Sequence, residues 1–171
     1  MGLEKLAFDY WDSSGKVADL IEKWDPKGFR TEKEYENSLY DYLHSKLKEV
    51  QVTKQYGQGR IRADLMVGDD VLIELKNNLK TTAQYQRMIG QLDAYQDWGG
   101  HIILILCGKT CPNLKKSLNE YLDASFEEGE VDLFFKPEDE ENKDDDDESE
   151  GTNWLLIAGL LIVGYIIFIG S

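Results

Sequence analysis

Residues 101–107, HIILILC, form an unbroken run that is apolar apart from His101 and shows no alternation. A strand with one wet face alternates polar and apolar side chains, so a run of this kind marks a strand covered on both faces. It requires a sheet with helices packed against each side, and the flanking segments supply them. Residues 82–97 carry Tyr85, Met88, Ile89, Leu92 and Tyr95 at helical spacing. Leu114, Leu118, Tyr121 and Leu122 mark another helix, and Val131–Phe135 a closing strand. Upstream stand three strand-like runs, Val50–Tyr56, Arg60–Val67 and Val71–Lys76, separated by Gly57-Gln58-Gly59 and Gly68-Asp69-Asp70. Before them, Val17, Leu20, Ile21 and Trp24 read as one helix, stopped by Asp25-Pro26-Lys27-Gly28. Thr31 and Glu34 form a capping box for a second helix, which turns Tyr35, Leu39, Tyr42, Leu43 and Leu47 inward. The order ααβββαβαβ defines an α/β protein with a mixed sheet flanked by helices.

The charge is unevenly spread over the 171 residues, whose formal net charge is −14. Between residues 136 and 150, ten carboxylates face only Lys136 and Lys143, while residues 154–170 carry no charge at all. The acidic stretch cannot bury enough apolar surface to order itself and is expected to be a disordered, extended tether. WLLIAGLLIVGYIIFIG, residues 154–170, would span roughly 25 Å as a helix, the short end of what crosses a bilayer. Trp154 and Tyr165 stand near its ends as interfacial aromatics do. We therefore expect a single-pass C-terminal membrane anchor that holds a cytoplasmic soluble domain. The expected organisation is an N-terminal helical extension at 1–30, the main domain at 31–136, the tether at 137–153 and the transmembrane helix at 154–170.

Several classes are excluded. Cys107 and Cys111 cannot make a disulfide scaffold, and with His44 and His101 they are a poor zinc set. The first residues, MGLEKLAFDYWDSS, are too charged for a signal peptide, and Leu6 breaks a myristoylation motif. Gly108-Lys109-Thr110 lacks the earlier glycine of a phosphate-binding loop, because position 103 is Ile103. No Ser-His-Asp arrangement has motif support.

The informative stretch is the second and third strands. Alternation places Ile61, Ala63, Leu65 and Val67 on one face, with Arg60, Arg62, Asp64 and Met66 on the other. Glu74 and Lys76 also share a face, so a hairpin would bring Asp64, Glu74 and Lys76 to one end of the sheet. Oxygen ligands from Asp64, Glu74 and the Leu75 carbonyl suit Mg²⁺, which keeps several waters and binds through one or two carboxylates plus substrate phosphate. Lys76 would then orient the attacking water or stabilise charge on the phosphate.

These residues resemble the PD-(D/E)xK nuclease superfamily, which includes restriction endonucleases, archaeal Holliday junction resolvases, and RecB-like and phage lambda-type exonucleases. The resemblance runs from about Thr31 to Cys107. It implies a restriction endonuclease-like αβββαβ core. Asp64 matches the first motif aspartate, with Ala63 in place of the name-giving proline, and Glu74-Leu75-Lys76 matches ExK. Glu36 fits the family's helix acid and would assist the metal; Glu32 and Glu34 are the alternates. Gln91 and Tyr95 fit the Q-x-x-x-Y motif and would support the metal-water cluster and a phosphate.

The implied function is a membrane-anchored, Mg²⁺-dependent nuclease, with Mn²⁺ able to substitute, that acts on DNA ahead of RNA and as an endonuclease ahead of an exonuclease. Duplex-cutting members are often dimers, so the resemblance allows a homodimer. Between Lys46 and Arg87 eight basic residues outnumber five acidic ones, as a phosphate-tracking groove requires. The rival reading is a catalytically silent module of the same fold that recruits nucleic acid or a protein partner to the membrane.

Overall fold

The computed structural model describes residues 14–136. The expected tether and transmembrane helix lie outside the described residues, and among those described no helix is long and apolar enough to cross a membrane. Residues 14–23 form helix α1. There follow α2 (Glu32–Lys46), β1 (Val52–Gln58), β2 (Ile61–Val67), β3 (Val71–Asn77), α3 (Thr82–Tyr95), β4 (His101–Cys107), α4 (Pro112–Ser125) and β5 (Val131–Lys136). The expected order, with its αβββαβ segment from α2 to β4, is the observed one.

Local chemistry sets the helix starts. Thr31 and Glu34 cap α2 reciprocally, and Thr81 and Gln84 do the same for α3. Pro112 opens α4, where its missing N–H costs nothing. The first hairpin turns one residue pair later than expected. Gly57 and Gln58 belong to β1, and the turn lies at Gly59, whose φ of +60° suits a residue without a Cβ.

The five strands lie in the order β1-β2-β3-β4-β5. β1, β2 and β3 pair antiparallel; β3, β4 and β5 pair parallel, with α3 and α4 as the crossovers. β4 is buried at all seven positions. Its Ile103, Ile105 and Cys107 pack with α1 and α2 residues such as Ile21, Leu39 and Leu43. Its Ile102, Leu104 and Leu106 pack with Met88, Leu92 and Leu118 from α3 and α4. The unbroken apolar run thus fills two cores, one on each side of the sheet, as its lack of alternation demands.

One expectation about the sheet fails. Ile61, Ala63, Leu65 and Val67 do not share a face. Leu65 and Val67 belong to the α1/α2 core, whereas Ala63 lies in the α3/α4 core, with Ile61 packed against it. Residues two apart on a regular strand point the same way, so β2 changes sides at Asp64. β1 changes sides with it. The Lys54 ammonium donates to Asn37 on α2 at 2.8 Å, while Tyr56 packs edge-on against Trp98 in the opposite layer.

Candidate metal and phosphate site

The pairing of β2 with β3 runs from Val67↔Val71 to Leu65↔Ile73. Beyond that point β3 continues to Asn77 alongside β4 only, leaving a fork between β2 and β3. Main-chain groups on the β2 side of β3 have no strand partner there, and their N–H groups need other acceptors. Carboxylates do it. Asp64 Oδ2 accepts from the Leu75 N–H at 2.8 Å, and Glu32 Oε2 accepts from the Asn77 N–H at 3.2 Å. A strand residue's carbonyl points the same way as its own N–H, so the Leu75 carbonyl faces the fork too.

Glu74 is 1% exposed and held at both oxygens. Lys76 Nζ donates to Oε1 at 2.5 Å, and the Tyr95 hydroxyl reaches Oε2 at 2.7 Å while also lying against the Arg62 carbonyl. Burial alone would lower the Lys76 pKa, but the Glu74 charge and hydrogen bond outweigh it and hold the ammonium in its charged form. Asp64 moves the other way. Burial first, and then the Glu74 charge, push its carboxyl up to about 7, against the pull of the Leu75 N–H and Lys76. Burial, reinforced by Glu74, also keeps the Tyr95 hydroxyl protonated.

The fork therefore brings Asp64, Glu74, Lys76 and Tyr95 together. Gln91 sits one helical turn before Tyr95 on α3, and its Oε1 is buried with no hydrogen-bond partner among the described residues. Glu36 is not brought into this group. It is buried under α2, and its carboxylate pairs with Lys33 at 2.7 Å. The α2 acid that reaches the fork is Glu32, one turn earlier, with its carboxylate 3.8 Å from Lys76 Nζ as well as on Asn77. Asn77 secures that end of α2 further, its side-chain amide donating to the Arg30 carbonyl at 2.7 Å.

Among the described residues no three His, Cys, Asp or Glu side chains stand close enough to hold a metal ion by themselves. The donor set still fits Mg²⁺, which needs only one or two carboxylates and takes its remaining ligands from water and phosphate. Asp64, raised by burial first and by the Glu74 charge second, makes with Glu74 and the inward Leu75 carbonyl an electron-rich recess that a cation would relieve. His101, by contrast, is accounted for structurally by Asp132, 2.9 Å away.

No protein-family model matches the chain, and no curated protein matches it. Among solved structures, it is similar to Pyrococcus furiosus SfsA in complex with Ca²⁺, with 12% identity and a TM-score of 0.43 over 67% of this chain and 68% of that one.

Proposed function

We propose that this protein is a membrane-anchored, Mg²⁺-dependent nuclease that hydrolyses phosphodiester bonds in DNA. The observation that carries the reading is the fork itself: Asp64 and the Leu75 carbonyl face it from opposite strands, beside the Glu74–Lys76 pair. The ordered coincidence of Asp64, Glu74-Leu75-Lys76 and Gln91/Tyr95 with the PD-(D/E)xK pattern supports it.

Asp64, Glu74 and the Leu75 carbonyl would hold the cation. When bound, Mg²⁺ supplies a water of lowered pKa and positive charge beside the phosphate. Lys76, kept protonated by Glu74, cannot serve as a base at neutral pH. Its ammonium orients the attacking water and offsets charge that develops on the phosphate. Tyr95 fixes the Glu74 carboxylate, and Glu32, rather than Glu36, would serve as the acid from α2. Gln91 Oε1, buried without a partner among the described residues, would accept from a cation-bound water, as the Q-x-x-x-Y resemblance implies. The anchor is residues 154–170, on hydropathy alone.

One observation favours the rival, silent module: both Glu74 oxygens are already engaged, and among the described residues no third acid joins the pair closely enough to share a metal ion. Cleavage decides between them. The full-length chain in mild detergent should cut circular and linear DNA with Mg²⁺ or Mn²⁺ and stop when EDTA is added. Retention of DNA without cutting would favour the recruiting module. Flotation with phospholipid vesicles should be lost when the chain is cut short at residue 153.

A further inference from the structure

Gln55 lies in the middle of β1 with a φ of +51°, in the left-handed region that a non-glycine residue enters at a cost. Its side chain is exposed and makes no hydrogen bond among the described residues, so no contact of its own explains the conformation. Its position does. The β1–β2 register runs Lys54↔Leu65 and Tyr56↔Ala63, which sets Gln55 opposite Asp64, and this is the one place in the ladder where the pairing is skipped. Both strands change faces at that pair: Lys54 and Leu65 turn to the α1/α2 side, Tyr56 and Ala63 to the α3/α4 side.

A regular strand at Asp64 would direct the carboxylate perpendicular to the sheet, into one of the two apolar layers. Instead the carboxylate lies within the sheet, along the hydrogen-bonding direction, and accepts from the Leu75 N–H at 2.8 Å. We infer that Gln55 is a positioning residue, whose left-handed backbone rotates the β1–β2 pair so that Asp64 faces the β2–β3 fork. The local cost at Gln55 is then spent on aiming a carboxylate two strands away from β4. The consequence for a bound cation rests on the nuclease reading; the orientation of Asp64 does not.

The Leu75 amide reports the orientation directly, independently of any activity. We would compare its hydrogen exchange by NMR in the full-length protein and in variants, with the Ile73 amide as the internal reference and Asp64→Ala as the control that removes the acceptor. Gln55→Gly and Gln55→Asn, which tolerate positive φ, should leave Leu75 protection within twofold of the wild type. Gln55→Val, whose branched side chain resists positive φ, should lower Leu75 protection at least tenfold relative to Ile73, as Asp64→Ala does. Should the valine variant not fold, Gln55→Ala makes the same comparison, with Leu75 protection expected below that of the glycine variant. Wild-type protection of Leu75 in the folded valine or alanine variant would overturn the assignment, as would its loss in the glycine variant. Where the nuclease reading fails, DNA stays uncut while Leu75 still divides the variants. Where Gln55 has no positioning role, Leu75 does not divide them.

Discussion

The Tyr95 hydroxyl stands 2.7 Å from Glu74 Oε2, joining the middle of β3 to the last turn of α3. Tyr95 is 1% exposed, and its hydroxyl also lies against the Arg62 carbonyl, so one group ties together α3, β2 and β3 around the fork. Tyr95→Phe keeps the ring and removes the single O–H that the buried Glu74 carboxylate and the Arg62 carbonyl share. We expect a loss of about 1–3 kcal/mol in urea denaturation, with the far-ultraviolet circular dichroism unchanged. A loss under about 0.3 kcal/mol would show that the hydroxyl supports nothing.

Asp64 gives a pH-dependent signature. Its folded pKa of about 7 lies above the 3.8 of an unperturbed aspartate. Between those values the folded protein holds a proton that the unfolded chain has released. The group therefore costs stability in full above pH 7, and the cost is relieved as the pH falls towards 4. Asp64→Asn should stabilise the cation-free protein at pH 8 by on the order of 1–2 kcal/mol, and the advantage should shrink by pH 5. Denaturation in EDTA at the two pH values checks this. Added Mg²⁺ should stabilise the wild type and not the variant.

Glu32 and Glu36 separate by role. Glu32 bridges the Asn77 N–H and Lys76, whereas Glu36 pairs with Lys33, which is 54% exposed. Glu32→Gln should lower cleavage by about tenfold or more, as loss of a supporting partner around a metal site does. Glu36→Gln should change it less than about threefold, because a neutral amide suits a buried position at least as well as a carboxylate. The reverse order would restore Glu36 as the helix acid.

The two thiols should differ sharply. Cys107 is 1% exposed, and burial, followed by the Glu32 charge, pushes its thiol up to about 12. Cys111, at the start of α4, is partly exposed. At pH 8 a thiol reagent should modify one cysteine quickly and the second about a hundredfold more slowly. Both should react at once in denaturant.

Much of this architecture is legible in the sequence because it rests on local signals. The HIILILC run, the Thr31–Glu34 box and the helical spacing of Met88, Leu92 and Tyr95 each specify an element whatever the rest of the chain does. The face change at Asp64 is not legible, since IRADLMV alternates smoothly as text and the break originates in the backbone of Gln55 on the neighbouring strand. Glu32 and Glu36 share one face of α2, and only the placement of that helix against the end of β3 decides which reaches Lys76. Tyr42, expected inward, is only partly buried, because α2 covers the sheet along its Tyr35, Leu39 and Leu43 side. Val50, expected in β1, is 38% exposed and precedes the strand.

Cleavage of circular DNA by the full-length chain tests most directly the proposal that the fork between β2 and β3 performs cation-dependent phosphodiester hydrolysis. The wild type, Asp64→Ala and Lys76→Ala should be compared with Mg²⁺, with Mn²⁺ and with EDTA. We expect cutting by the wild type with either cation, none with EDTA, and a loss of at least about a hundredfold in both variants. Cutting that survives in Asp64→Ala, or a folded wild type that binds Mn²⁺ and DNA without cutting, would contradict it.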